Sequence, residues 1–412
     1  MAEEVAIARL GHRGDGIAET PAGPLYVPHA LPGERVLVER EAGGRARLVE
    51  VLAPSPERIA PYCPHAGTCG GCAVQHWRQD AALAWKRALV VDALARAGVA
   101  AEVAPTVDAH GAGRRRATLH ARRRPGGGCR VGFNLARTHD LVDLAADPCP
   151  LLVPGLKAAV PAVAAAAEAL AALGKPLDAV ATATLGGIDL DLRGPGRVPE
   201  AMRLDLVGLA EAHDLARLSL HGEVLVERRP PVLRFGDVEI APPPGGFLQA
   251  TAAGEEALAA LVTAGVGGAR RAADLFAGCG TFALRLARGA AVTAVESEQA
   301  ALAALDRAAR HAPGLKPVAT LRRDLFRRPL AGAELEPFDA VVFDPPRAGA
   351  EAVARALAAS RVKRVVAVSC NPDTLARDLA VLVQGGYRLG AVTPIDQFRH
   401  AAHVEAVAVL AR

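Results

Sequence analysis

The chain has 412 residues, 51% of them hydrophobic and 22% charged, with a formal net charge of +4, so it is long enough for two or three domains and a sizeable core. No apolar run reaches spanning length: the alanine-rich stretch 156–173 is interrupted by Lys157, Pro161 and Glu168, which excludes a membrane helix there. The Met1-Ala2-Glu3-Glu4 start has neither a basic region nor an apolar core, and the expectation is a cytoplasmic protein with no membrane partner, a monomer by default.

In chain order, residues 5–52 read as short strands with turns at 11–16, 21–24, 31–34 and Gly43-Gly44. That spacing predicts a five-stranded β-barrel of OB type occupying 1–55. Pro54-Ser55-Pro56 then leads into a central α+β region, 56–240. Cys63, Cys69 and Cys72 open it, separated by five and then two residues with glycines between. Such spacing suits metal thiolates, and the odd total of seven cysteines argues against a disulfide framework. Zinc, with His65 or His76 as a further ligand, is one reading. A helix is predicted over 81–97, free to pack on the C-terminal part.

Arg114-Arg115-Arg116 and Arg122-Arg123-Arg124 bracket a strand-like segment, followed by Pro125-Gly126-Gly127-Gly128 and a second strand over 129–133. A basic hairpin of this kind suits phosphate contacts. The plainer reading is compositional, since only five of the 48 basic residues are lysine. Residues 154–232 alternate alanine-rich helix with short strands.

Residues 241–412 carry the densest motifs. A strand at 271–273 enters Asp274-Leu275-Phe276-Ala277-Gly278-Cys279-Gly280-Thr281, followed by a helix over 282–288. The next strand, 291–296, ends on Glu296, an acid suited to ribose hydroxyls. The third glycine of a dinucleotide fingerprint is missing, which favours S-adenosylmethionine over NAD. A strand over 317–321 precedes Asp324, and another ends in Asp344-Pro345-Pro346, whose prolines stiffen the turn that holds the carboxylate. The apolar run 364–368 ends at Ser369-Cys370-Asn371-Pro372. Cys370 therefore stands at the carboxyl end of a buried strand, where open α/β sheets place their chemistry. Taken alone it would read as a packed residue. A last strand, 400–410, is predicted to carry His403 and Glu405 on one face.

Phe247-Leu248-Gln249, the Asp274–Phe282 loop, Glu296, Asp344-Pro-Pro-Arg-Ala-Gly, Ser369-Cys370-Asn371-Pro372 and His403-Val404-Glu405 together resemble the RNA uracil-C5 methyltransferases that carry an iron–sulfur cluster. The resemblance implies a Rossmann-like methyltransferase domain. In it Cys370 would add to C6 of uracil, because C5 is too poor a nucleophile to take a methyl group unaided. Glu405 would then remove the C5 proton. It further implies that Gln249 and Asp344 hold the pyrimidine edge or the cofactor, and that Phe276, Thr281, Glu296 and Asp324 line the cofactor pocket. Thr281 departs from the asparagine of some members. Cys149 joins Cys63, Cys69 and Cys72 as ligands of a [4Fe–4S] cluster, and the barrel resembles an RNA-binding TRAM domain.

The expected substrate is a uridine in structured RNA, ribosomal by resemblance, with transfer RNA or a non-catalytic RNA-binding role as alternatives. Arg347 stands where RNA cytosine-C5 enzymes place a second cysteine, and no aromatic follows Pro346 as in exocyclic-amine methyltransferases.

Overall fold

The structure, a computed structural model, describes residues 2–124 and 126–412; Met1 of the predicted start and Pro125 of the predicted hairpin turn lie outside the described residues. The first strands are Ala2–Ala6, Arg9–Leu10, Gly16–Thr20, Gly23–Val27, Arg35–Glu41 and Arg45–Ala53. Ala2–Ala6 pairs with Arg35–Glu41, while Arg9–Leu10 pairs with Gly16–Thr20. One bent segment, broken at Ile7 and Ala8, thus serves both edges and closes the sheet. The expected five strands become six because of this break. Leu25, Val27, Val36 and Val38 fill the interior and are fully or almost fully buried, as period-two alternation in a small barrel requires.

A second sheet runs, in spatial order, Glu223–Glu227, Leu215–Leu220, Gly187–Arg193, Leu177–Thr184, Arg116–Arg123 and Cys129–Gly132. Helices Ala159–Ala169 and Glu200–Ala212 pack on it. The predicted basic hairpin exists, but most of its arginines face protein partners. Arg115 is buried against Glu255, Arg122 pairs with Asp178 and Arg124 with Asp143. Arg116 donates to the Gly245 carbonyl at 3.2 Å. Only Arg123 and Arg130 are exposed without such an ion pair among the described residues, so the hairpin is chiefly a joint between layers.

The third sheet has the order Val318–Arg322, Ala291–Glu296, Arg271–Leu275, Ala340–Phe343, Arg364–Ser369, Glu405–Ala411, Arg388–Asp396 and Val107–Asp108. The first five strands are parallel, and Glu405–Ala411 runs antiparallel between its neighbours. Helices cover both faces, as a sheet of near-continuous apolar strands demands. The region expected as one unit over 56–240 contributes to this sheet as well. Helix Gln79–Arg96 packs against helix Pro372–Gln384, strand Val107–Asp108 extends the edge, and the hairpin Leu233–Ile240 joins the same core. Lys86, fully buried, reaches Asp396 at 2.6 Å and the Phe398 carbonyl at 3.0 Å. Removing one partner of such a pair would leave a buried charge uncompensated, a cost of about 3–5 kcal/mol.

Two element boundaries differ from the sequence reading. The helix expected over 282–288 is a single turn, Ala283–Leu286, because the chain must reach the next strand within a few residues. The last strand begins at Glu405, not at residue 400; His400 has a left-handed backbone, φ 65°, which an extended strand cannot contain. His403 therefore lies in the preceding loop, exposed, while Glu405 is buried. No helix among the described residues is long and apolar enough to cross a membrane.

Candidate active site

Sheet direction assembles the site. Parallel strands Ala340–Phe343 and Arg364–Ser369 end together, Phe343 beside Ala367, so Asp344 and Cys370 emerge at one edge. The antiparallel strand starts at that same edge: Ala406 pairs with Ser369 and Glu405 with Ile395. Residues far apart in sequence are thereby brought to the rim of one cavity of about 1420 Å³, lined by Gln249, Asp344, Cys370, Gln397 and Glu405 among others. Asn371 caps the helix Pro372–Gln384 with its side chain, accepting from Asp373 N at 3.1 Å. Cys370 thus precedes a helix N-terminus, whose partial positive charge favours an anion nearby.

The charges in this cavity are strongly shifted. Burial, with Asp344 adding negative charge, pushes Glu405 up to about 8, while a hydrogen bond from Gln397 pulls it back. Asp344, open to the cavity but set deep in the protein, is pushed up by desolvation to about 7 against a hydrogen bond from Gln249. Burial and the neighbouring Glu405 and Asp344 push the Cys370 thiol up to about 11, with Arg347 opposing. A half-buried thiol, a carboxyl titrating near neutrality and a positioned acid form the set required for nucleophilic addition and later proton removal.

At the end of strand Arg271–Leu275 and beside it, the glycine loop and its neighbours form the remainder of the same cavity: Phe276, Thr281, Glu296 and Asp324 all line it. Gly280 has φ +96° and an added Cβ would lie 2.4 Å from Leu305 Cδ1, so glycine is needed both for the turn and for the helix packed behind it. Glu296 accepts from Gly278 N at 3.0 Å and from Ser297 N at 2.6 Å, fixing the loop while its remaining lone pairs stay available. Asp324 accepts from Phe326 N at 3.0 Å. The Phe276 and Phe326 rings lie 5.4 Å apart and both line the cavity, an apolar surface for a flat heterocycle; Phe326 was not among the expected pocket residues.

The four predicted cluster cysteines, Cys63, Cys69, Cys72 and Cys149, line one chamber, a separate cavity of about 380 Å³, all as free thiols. Gly71 N donates to Cys69 Sγ at 3.5 Å and Gln75 Nε2 to Cys72 Sγ at 3.9 Å. Burial and the three neighbouring cysteines push Cys72 up to about 12. Among the described residues no three His, Cys, Asp or Glu side chains converge closely enough to hold a single metal ion; the thiols stand around a chamber wall. His65 lines the chamber, its Nε2 hydrogen-bonded to the Asp147 carbonyl at 2.9 Å, whereas His76 does not line it.

Sequence reasoning missed Gln397, fully buried, and the role of Arg347 beside Cys370 and Glu405. It also missed the link between the two cavities. Ala73 N and Val74 N, immediately after Cys72, donate to the His400 carbonyl at 2.7 and 3.0 Å. No local pattern marks these residues, because their partners lie hundreds of positions away.

The family model described as tRNA (Uracil-5-)-methyltransferase matches residues 269–412. A Brucella suis protein described as an uncharacterized RNA methyltransferase is 52% identical over 99% of this chain and 98% of its own length. The 23S rRNA (uracil(1939)-C(5))-methyltransferase RlmD of Chromohalobacter salexigens is 35% identical over 100% of this chain and 90% of its own. Among solved structures, the Pyrococcus abyssi tRNA (uracil-54, C5)-methyltransferase superposes with a TM-score of 0.74 over 99% of both chains at 23% identity, a likeness of fold. The doubly wound sheet, with Asp344, Cys370 and Glu405 gathered at its strand ends, is an α/β fold of the methyltransferase kind. The chain belongs to the RNA uracil-C5 methyltransferase family and is an S-adenosylmethionine-dependent RNA uracil-C5 methyltransferase.

Proposed function

We propose that the protein methylates a uridine of 23S ribosomal RNA at C5 through a covalent adduct between Cys370 and C6. The observation that carries this reading is the convergence of Cys370, Glu405, Asp344 and Gln249 on one cavity. Cys370 Sγ forms a bond to C6, and the displaced electron pair makes C5 an enolate carbon. S-adenosylmethionine, which Phe276, Thr281, Glu296 and Asp324 would hold, would supply the electrophilic methyl group to C5 as its methyl–sulfonium bond breaks, leaving S-adenosylhomocysteine. Glu405 then accepts the C5 proton, the C5–C6 double bond re-forms, and the C6–S bond breaks to return the thiolate. Gln249 and Asp344 hold the uracil edge. The ribosomal substrate is supported by relatives described as acting on 23S rRNA that span the whole chain. The cavity also reaches Arg9, His12 and Arg13 of the N-terminal barrel, a basic rim suited to RNA phosphates.

RNA carrying 5-fluorouridine tests the covalent route, since fluorine cannot leave as a proton does. A stable, denaturation-resistant protein–RNA adduct that requires the cofactor is the expected result. Its absence on an RNA that is otherwise methylated would sink the assignment.

The four cysteines fit an iron–sulfur cluster by donor chemistry: all are free, they surround one chamber, and N–H groups point at two of the sulfurs. Thiolates are ligands such clusters require. Bound there, the cluster would brace the segment that hydrogen-bonds to His400, a structural contribution apart from the chemistry. Elemental analysis of anaerobically purified protein is expected to find iron, and Cys149→Ala to lose it; zinc in its place, or full iron in the variant, would reject this ligand set.

A further inference from the structure

We propose that Gln397 is a positioning residue whose single buried carboxamide both fixes the hydrogen-bonding direction of Gln249 and holds Glu405 in place, an inference that rests on the covalent route above. Gln397 follows strand Arg388–Asp396 and has no solvent exposure. Its Oε1 accepts from Thr251 N at 3.4 Å. A reversed amide would set its NH2 group against that N–H, donor against donor, so the orientation is determined. Its Nε2 then donates to Gln249 Oε1 at 2.7 Å and to Glu405 Oε1 at 3.2 Å. Both hydrogens of the amide are spent on these two contacts.

The first contact decides what Gln249 offers the substrate. With its oxygen occupied by Gln397, Gln249 turns its NH2 group toward Asp344 Oδ2, at 3.2 Å. One N–H of Gln249 and one oxygen of Asp344 are left, a donor beside an acceptor. Uracil matches that pair with O4 and N3–H, whereas cytosine presents an amine and a bare nitrogen and mismatches it. A freely rotating Gln249 would lose this distinction.

The second contact places the base. Glu405 faces Asp344 and Cys370 from neighbouring strand ends and Arg347 from the Asp-Pro-Pro turn. Gln397 is the neutral donor among these charged groups, favouring the ionised carboxylate. The fold makes room for it at a specific point: a Cβ on Gly254, in the first turn of helix Ala252–Val266, would lie 2.7 Å from both Cβ and Oε1 of Gln397. Gly254 is not in the left-handed region, so glycine is there for space, chiefly for Gln397 and also for the capping hydroxyl of Thr251, whose Oγ1 would lie 2.9 Å from that Cβ.

The test compares full-length, cofactor-loaded wild type with Gln397→Met, of similar volume but with no donor, in single-turnover reactions on uridine RNA across pH. Thermal melting and S-adenosylhomocysteine affinity confirm a folded variant. Adduct formation and product release are read separately. The variant is expected to release product about 10- to 100-fold more slowly, the scale of one hydrogen bond to a charged group. Its methylated adduct accumulates, and the rising limb of release moves to higher pH because the ionised carboxylate has lost its donor. Gly254→Ala, which crowds Gln397 without removing it, is expected to give a smaller shift in the same direction. Release at the wild-type rate with an unmoved pH limb in Gln397→Met would overturn the inference while normal 5-fluorouridine trapping left the covalent route intact. A wild-type protein that forms no such adduct would overturn both.

Discussion

Replacing Cys370 with alanine is expected to lower methyl transfer by about 10⁴-fold or more, the scale on which a covalent nucleophile's removal is felt, and to abolish trapping by 5-fluorouridine RNA. Cofactor affinity should stay within a few-fold, because strand Ala340–Phe343 lies between the strand that ends at Cys370 and the strand that leads into the glycine loop. The size of the effect follows from the substrate, since without addition at C6 the C5 carbon has no enolate character. Structure adds a pH signature. Burial, Glu405 and Asp344 hold the resting thiol up at about 11, so the thiolate fraction grows as pH rises through neutrality. Addition should therefore accelerate with pH in the wild type, assisted by Arg347 and the helix end at Asn371. Rapid-quench measurement of adduct formation checks this. An alanine variant that still methylates within tenfold of wild type would remove Cys370 from the chemistry.

The Glu405→Gln substitution is expected to leave addition and methylation in place and to slow release by about 10²- to 10⁴-fold, the range for loss of a general base. The protein should then complete one turnover and remain joined to ordinary, methylated RNA, an accumulation that denaturing electrophoresis would detect. Sign matters for the pH dependence. Glu405 is pushed up to about 8, so its basic form is scarce at pH 6 and increases until pH passes about 8. Wild-type release should rise over that interval, and the glutamine variant should lose the limb. Equal release rates in the two proteins at pH 8 would assign proton removal to another group.

Much of this site was legible because its chemistry is written in short local runs. Asp274–Phe282, Asp344-Pro345-Pro346 and Ser369-Cys370-Asn371-Pro372 each sit on a strand end, and an apolar strand followed by glycine or proline is readable from neighbours alone. The middle layer was legible only as alternating helix and strand. The basic hairpin shows why: a run of arginines looks solvent-facing, yet Arg115, Arg122 and Arg124 are answered by Glu255, Asp178 and Asp143, acids that lie outside the hairpin's own run of sequence. His403 failed for a related reason. Period-two reasoning assumed a strand through residue 400, but the left-handed turn at His400 and its backbone contacts with Ala73 and Val74 delay the strand until Glu405.

By itself the amino-acid sequence determined the doubly wound C-terminal sheet, the cysteine at a strand's carboxyl end and the acid near the start of the last strand, since periodicity and turn residues act over a few positions. Tertiary structure alone decided what those groups become. The antiparallel insertion of Glu405–Ala411 puts the beginning of one strand beside the end of another, and only that brings Glu405 to Cys370. Desolvation in the resulting cavity sets the two far from their ordinary pKa values. Gln397 acquires its role solely from partners brought from residues 249, 251 and 405. Burial and long-range hydrogen bonds depend on the folded arrangement of distant segments, so no window of sequence contains them.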